Sequence, residues 1–245
     1  MKIKILGCGP ILQQAPWQNC SGYLVDNQFL FDCGPGIWQA LNEQGITPSR
    51  LHNIFLTHFH IDHTSDLAPL LMARFLSLEK LNRDLLISGP EGLKNWYQHF
   101  SLYCGSWITK LPTKLTEINA EILCDDYRIR SLPTGHTDTS VCYRISDRYG
   151  KAFFYSGDTG FNTDIIVLMQ DCDLAILEAS NTEDLQVTGH LTPSQAGQLA
   201  ARAGVKRLIL THRYPEVNED YARNSAAKFF KGEIDIAADG KLIKV

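Results

Sequence analysis

The stretch Thr57-His58-Phe59-His60-Ile61-Asp62-His63 decides how this chain is read. It follows directly on the apolar Ile54-Phe55-Leu56 and places three imidazoles and one carboxylate side by side. A short apolar run that ends in polar residues reads as a buried strand delivering side chains to a site at its tip. Imidazole nitrogen and carboxylate oxygen suit zinc, and manganese or iron also accept them. In a tight loop the alternate residues His58 and His60 can face one metal, while Asp62 and His63 turn toward a second. A polar surface loop is the plain alternative, and four ligating side chains in so short a span weigh against it.

Working outward, four more strand-like runs end in the same way. Ile129–Leu132 leads to Thr134-Gly135-His136, and Ala152–Tyr155 to Ser156-Gly157-Asp158-Thr159-Gly160. Leu174–Leu177 ends at Glu178, and Leu208–Leu210 at Thr211-His212. In α/β sheets functional groups gather at strand ends, because the strands are rigid and the loops are free to vary. Turn chemistry alone could account for an Asp between glycines. In this company Asp158 reads instead as a carboxylate bridging two metals. One metal then takes His58, His60, His136 and Asp158; the other takes Asp62, His63, His212 and Asp158. Water held between two metals can be hydroxide near neutral pH and attack an ester carbon or phosphorus.

The remainder of the chain alternates strands and helices. Strands are predicted at Lys2–Leu6, Ser21–Val25, Phe29–Asp32, Asn53–Leu56, Leu85–Ser88, Arg128–Leu132, Val141–Ser146, Lys151–Tyr155, Leu174–Glu178 and Arg207–Leu210. Helices are predicted at Ile37–Gln44, Leu67–Leu78, Gly92–Tyr103, Asp164–Gln170, Pro193–Ala203 and Asn218–Phe230. Thr192-Pro193 is a helix start and Gly204 a helix stop. Asp66 reads as the cap of the helix at Leu67. Paired strands followed by strand–helix alternation give an α/β layered fold with mixed sheets, and no linker divides residues 1–245.

Composition bounds the function. Hydrophobic residues make up 44% of the 245 and charged residues 20%, ordinary for a folded domain. The net charge is −4 and no Lys/Arg cluster stands out, which counts against DNA or long RNA, whose phosphates demand a basic field. Seven cysteines, widely spaced and without a C-x-x-C pair, fit a reducing, cytoplasmic setting better than a disulfide framework. No run approaches the ~18 apolar residues of a membrane span.

With these motifs in their order along the chain, the sequence resembles the metallo-β-lactamase superfamily. The resemblance implies a four-layer αββα sandwich of two mixed sheets flanked by helices, with a site for two zinc ions in the cleft between the sheets. Leu177-Glu178-Ala179-Ser180, Gly189-His190-Leu191-Thr192-Pro193, Leu6-Gly7-Cys8-Gly9 with Asn19, and Phe31-Asp32-Cys33-Gly34-Pro35-Gly36 look like the ribonuclease Z and phosphodiesterase branch. There a histidine paired with a glutamate assists the leaving group; the matching positions are His190 and Glu178. His190 also reads as a plain helix-start residue, and Glu178 as a strand-end charge. Asp62 is placed to steer the hydroxide proton.

Ribonuclease Z carries a long arm for tRNA between the motifs at His136 and Asp158. Here Thr137 to Gly157 holds only enough chain for a hairpin, so a small-molecule substrate is expected, with neither DNA nor tRNA. The chain looks closer to the branch's small phosphodiesterases, and a cyclic diester is within its scope. Hydrolysis of a lactone, ester or thioester on the same metals is the alternative. A non-catalytic metal-binding regulatory module is the alternative from another class. The resemblance also carries homodimers, which are common in this branch.

Several residues have two readings. Asp32 serves the turn at Cys33–Gly36 or holds a metal-ligating histidine from behind. Trp96, Phe100, Tyr103 and Trp107 form a packed helix face, with base stacking the bolder view. Cys8 and Cys33 read as packing residues, and His52 and His99 as structural. Gln13, Gln14 and Trp17 lie in a loop that the resemblance sets at the mouth of the site.

Overall fold

The apolar runs pair into two seven-stranded sheets in the computed structural model, which describes residues 1–15, 18–77 and 83–245. The first contains β1 (Lys2–Gly7), β2 (Gly22–Val25), β3 (Phe29–Phe31), β4 (Asn53–Phe55), β5 (Leu85–Gly89) and β6 (Thr113–Glu117) in that order, with β14 (Leu242–Lys244) outside β1. The second runs β7 (Glu121–Cys124), β8 (Tyr127–Pro133), β9 (Val141–Asp147), β10 (Ala152–Tyr155), β11 (Leu174–Glu178), β12 (Arg207–Thr211) and β13 (Glu233–Ile236). Strands β3 to β6 are mutually parallel, as are β10 to β13.

The two-residue period of a strand sorts its side chains between layers. Phe153 and Tyr155 enter the core between the sheets, whereas Phe154 points to the helical side. Ile176 and Leu177 divide in the same way. Helices α1 (Ile37–Glu43), α3 (Leu67–Leu76) and α4 (Leu93–Cys104) cover the first sheet. Helices α5 (Ile166–Met169), α6 (Pro193–Ala203) and α7 (Glu219–Ala227) cover the second. One further helical turn, α2 (Ile61–Thr64), follows β4. The result is the αββα sandwich.

Thr192 caps α6 through a reciprocal capping box with Gln195, and Gly204 ends the helix at φ 67°. Asp66 does not cap its own helix. Its backbone is already helical (φ −77°, ψ −1°), whereas a capping side chain needs extended backbone beneath it. Asp66 Oδ2 instead accepts from Trp38 N at 2.9 Å, so it serves the start of α1 from across the fold.

Four strands escape the sequence pattern: β6, β7, β13 and β14. All four are sheet edges. Edge strands carry charge to discourage further pairing, which erases the apolar signature. Thr113-Lys114-Leu115-Thr116-Glu117 and Glu233-Ile234-Asp235-Ile236 are of this kind. β9 and β10 form the plain antiparallel hairpin expected in place of an arm.

The seven cysteines are all free, with Cys8 and Cys33 buried as packing residues. His52 pairs with Asp125 at 2.9 Å, and His99 Nδ1 contacts Asn95 O. Among the described residues no helix is long and apolar enough to cross a membrane. Trp17 and Leu78, named above, lie outside the described residues.

Candidate metal centre

Four strand ends and one helical turn converge on one point. β4 delivers His58 and His60, α2 delivers Asp62 and His63, and the loops after β8, β10 and β12 deliver His136, Asp158 and His212. Asp158, 3% exposed, sits at the middle. Its Oδ2 lies 3.9 Å from His58 Nε2 and 3.7 Å from His136 Nε2. Its Oδ1 lies 3.3 Å from His63 Nε2 and 3.5 Å from His212 Nε2. His60 Nδ1 stands 3.1 Å from His136 Nε2, and Asp62 Oδ2 stands 3.3 Å from His212 Nε2. The carboxylate of Asp158 therefore faces two clusters, divided as the sequence spacing divides them.

The donor atoms fit a metal. Ligands about 2.0–2.1 Å from a tetrahedral zinc ion stand roughly 3.3 Å from one another, and the spacings here lie around that figure. His58 Nε2, His63 Nε2 and Asp158 Oδ1 are buried with no hydrogen-bond partner. A buried polar atom left so costs about 1–3 kcal/mol, and three together at one point are explained by a cation that occupies their lone pairs.

Behind four of the imidazoles, those of His58, His63, His136 and His212, stands an acceptor. His63 Nδ1 meets Asp32 Oδ2 at 2.8 Å and His136 Nδ1 meets Gly189 O at 2.9 Å. A carboxylate or carbonyl only accepts, so Nδ1 carries the proton and Nε2 turns its lone pair to the centre. His58 Nδ1 is 3.0 Å from Thr57 Oγ1, and His212 Nδ1 is 3.1 Å from Ser180 Oγ. Asp32 thus does hold a histidine from behind. It also accepts from Thr57 N and Tyr155 Oη, and takes a left-handed φ of 57° to do so. Gly157 brings β10 close to β4: a Cβ there would lie 2.7 Å from Thr57 Cβ, at a φ of +55°.

The charges follow from these contacts. Burial works against a charged Asp158, yet His212 and His63 hold its carboxyl well below the usual range. Burial likewise opposes charge on His63, but Asp158 and Asp32 outweigh it and push it up. His58 and His136 are pushed down, first by burial.

His190 lies at the rim. Its ring centroid is 4.6 Å from that of His136, and its Nδ1 is 3.0 Å from Glu178 Oε1. Glu178 is wholly buried and also accepts from Thr159 N at 2.8 Å and Leu191 N at 3.1 Å. Burial disfavours charge on His190, but the hydrogen bond and charge of Glu178 prevail and raise it to about 9.

The aromatic residues of α4 divide. Trp96 stacks between Phe59 and Phe100, with centroids 5.1 Å apart on each side. Trp107 packs on Phe75, and Tyr103 is 86% exposed and belongs to no packed face. Phe59, between His58 and His60, braces their loop on α4. Thr57 and Ser180 stand within the sequence motifs but carry no role there; their only signal is a place one residue before His58 and two residues after Glu178 at a strand end.

Residues 27–213 match the model of the Beta-lactamase superfamily domain. The probable metallo-hydrolase YhfI of Bacillus subtilis is 30% identical, with 98% of each chain covered. Ribonuclease BN of Cronobacter sakazakii is 30% identical, with 80% of each covered. The crystal structure of YhfI superposes with a TM-score of 0.86 at 26% identity, covering 99% of this chain and 98% of that one. A diphosphatase from the PhnP family shares the fold, with a TM-score of 0.77 at 15% identity over 100% and 97% of the two chains.

Proposed function

The chain belongs to the metallo-β-lactamase superfamily of metal-dependent hydrolases, and from that premise we propose that it is a phosphodiesterase acting on a small phosphate diester, cyclic or open. The observation that carries the reading is the His190–Glu178 pair, 3.0 Å apart at the rim of the ligand cluster. An alkoxide leaving phosphorus needs a proton in the transition state, and a positioned imidazolium supplies it. Glu178 touches no substrate in this scheme; it fixes the His190 tautomer so that Nε2 carries its proton toward the centre. Asp62, beside His212, steers the proton of the attacking water. Two zinc ions held by His58, His60, Asp62, His63, His136, Asp158 and His212 would offset charge on the phosphoryl oxygens and acidify that water.

A cavity of about 730 Å³ opens beside His190, with Phe161, Asp164 and Val187 on its wall and, among the described residues, no lysine or arginine in its lining. That volume lies in the range of small-ligand sites, and the absence of basic lining disfavours a polyanion. The ribonuclease named among the relatives supports chemistry at phosphorus without fixing the substrate.

The test loads the protein with zinc or manganese and offers bis(p-nitrophenyl) phosphate, a lactone and a thioester. Phosphodiester turnover abolished by Asp158→Ala and cut strongly by His190→Ala is the expected result. Turnover of only the lactone or thioester, indifferent to His190→Ala, would refute the reading.

A further inference from the structure

Ser180 is wholly buried and lies between two groups of different duty. Its Oγ is 2.6 Å from Glu178 Oε2, 3.1 Å from His212 Nδ1 and 2.8 Å from His212 O. A hydroxyl has one proton to give. The bond to a carboxylate is charge-assisted and is the shortest of the three, so the proton goes to Glu178. The oxygen lone pairs then accept from His212 Nδ1–H. The other Glu178 oxygen meanwhile accepts from His190 Nδ1 at 3.0 Å. The rings of His190 and His212 lie nearly parallel, 9° apart, with centroids separated by 6.2 Å.

We propose that Ser180 is a positioning residue that relays the carboxylate of Glu178 to His212, so that a single buried carboxylate orients both the leaving-group histidine and a metal-ligating histidine. The inference rests on the reading of His212 as a ligand and His190 as the proton donor. Its consequence is specific: Glu178, which contacts no ligand nitrogen, sets metal affinity as well as leaving-group chemistry. Outer partners of this sort change metal affinity by about 10–100-fold.

The experiment measures zinc affinity by competition with a chromophoric chelator, without substrate, for wild type, Ser180→Ala, Glu178→Gln, the double variant and Ser180→Thr. Both single variants should weaken zinc binding by about 10–100-fold at one of two sites. The double variant should be no weaker than the worse single one, because both break the same chain. Ser180→Thr, which keeps the hydroxyl, should bind close to wild type. Wild-type affinity in Ser180→Ala, or in Glu178→Gln, overturns the relay, as do additive losses in the double variant. Denaturant unfolding of the metal-free proteins checks folding; where Ser180→Ala fails to fold, Glu178→Gln alone decides. An affinity loss in a protein that hydrolyses no phosphodiester would leave the relay standing and sink the proposed activity instead.

Discussion

Asp32→Asn isolates the support of the centre from the centre itself. Asn tolerates left-handed backbone at least as well as Asp, so the φ of 57° does not confound the change. The carboxylate is fully buried. Its Oδ1 accepts from Thr57 N at 2.8 Å, and its Oδ2 from Thr57 Oγ1, His63 Nδ1 and Tyr155 Oη at 2.7–2.9 Å. An amide has one oxygen and one NH2. With the NH2 on the Oδ1 side it confronts the Thr57 N–H, which has no alternative. On the Oδ2 side it confronts His63 Nδ1–H, and relief comes only by moving that proton to Nε2, where it blocks the lone pair. One orientation strands a buried donor at about 1–3 kcal/mol; the other disarms a ligand. The expected outcome is a metal-free protein destabilised by about 1–3 kcal/mol in urea, zinc affinity lower by about 10–100-fold, or a share of both. Chelator competition and urea unfolding read the two quantities separately. A variant that matches wild type in both would refute the assignment of Asp32 as the acceptor that orients His63.

Two further outcomes follow from residues away from the metals. Asp66→Ala should lower stability by about 0.5–2 kcal/mol through loss of the acceptor at the start of α1, with zinc affinity unchanged; an unmoved denaturation midpoint would show that the contact to Trp38 N adds nothing. Asp173 is opposed by burial but accepts from Lys206 at 2.8 Å, Ala152 N at 3.0 Å and Lys151 at 3.1 Å, which hold it down at about 2. Its folded-state pKa lies below the unfolded value of about 3.9, so its contribution is present above about pH 4 and is lost as pH falls through about 2. Asp173→Asn should flatten that part of the stability–pH curve in the metal-free protein, and parallel curves for the two proteins would refute it.

The buried strands were legible because a strand covered on both faces has to be apolar along its length, as Ile54-Phe55-Leu56 and Leu208-Ile209-Leu210 are. The edges were not, because Lys114, Glu117, Glu233 and Asp235 serve to keep other chains away as well as to pair. Asp66 was misread for a related reason. Its place before Leu67 is a local cue, while its actual partner, Trp38 N, is set by how α3 packs near α1.

The site divides along the same line. Each candidate ligand stands at or just beyond the tip of a strand that announces itself, so the set can be gathered one strand at a time. Apart from Thr57 behind His58, the groups that aim those side chains are contributed from elsewhere in the chain: Asp32 to His63, Gly189 to His136, Ser180 to His212. A hydrogen bond spanning 31, 53 or 32 residues leaves no period or spacing in the sequence. Yet these bonds decide which imidazole nitrogen bears the proton, and that choice separates a ligand from a histidine that merely lies nearby. His60 differs from the other histidines of the cluster in this respect. It turns Nδ1 inward toward His136 Nε2 and lies exposed, with no acceptor described behind its ring. Of the histidines in the cluster, His60 therefore gains the most in order from the metal itself, and the loop that carries it depends on Phe59 stacked against Trp96 for what order it has beforehand.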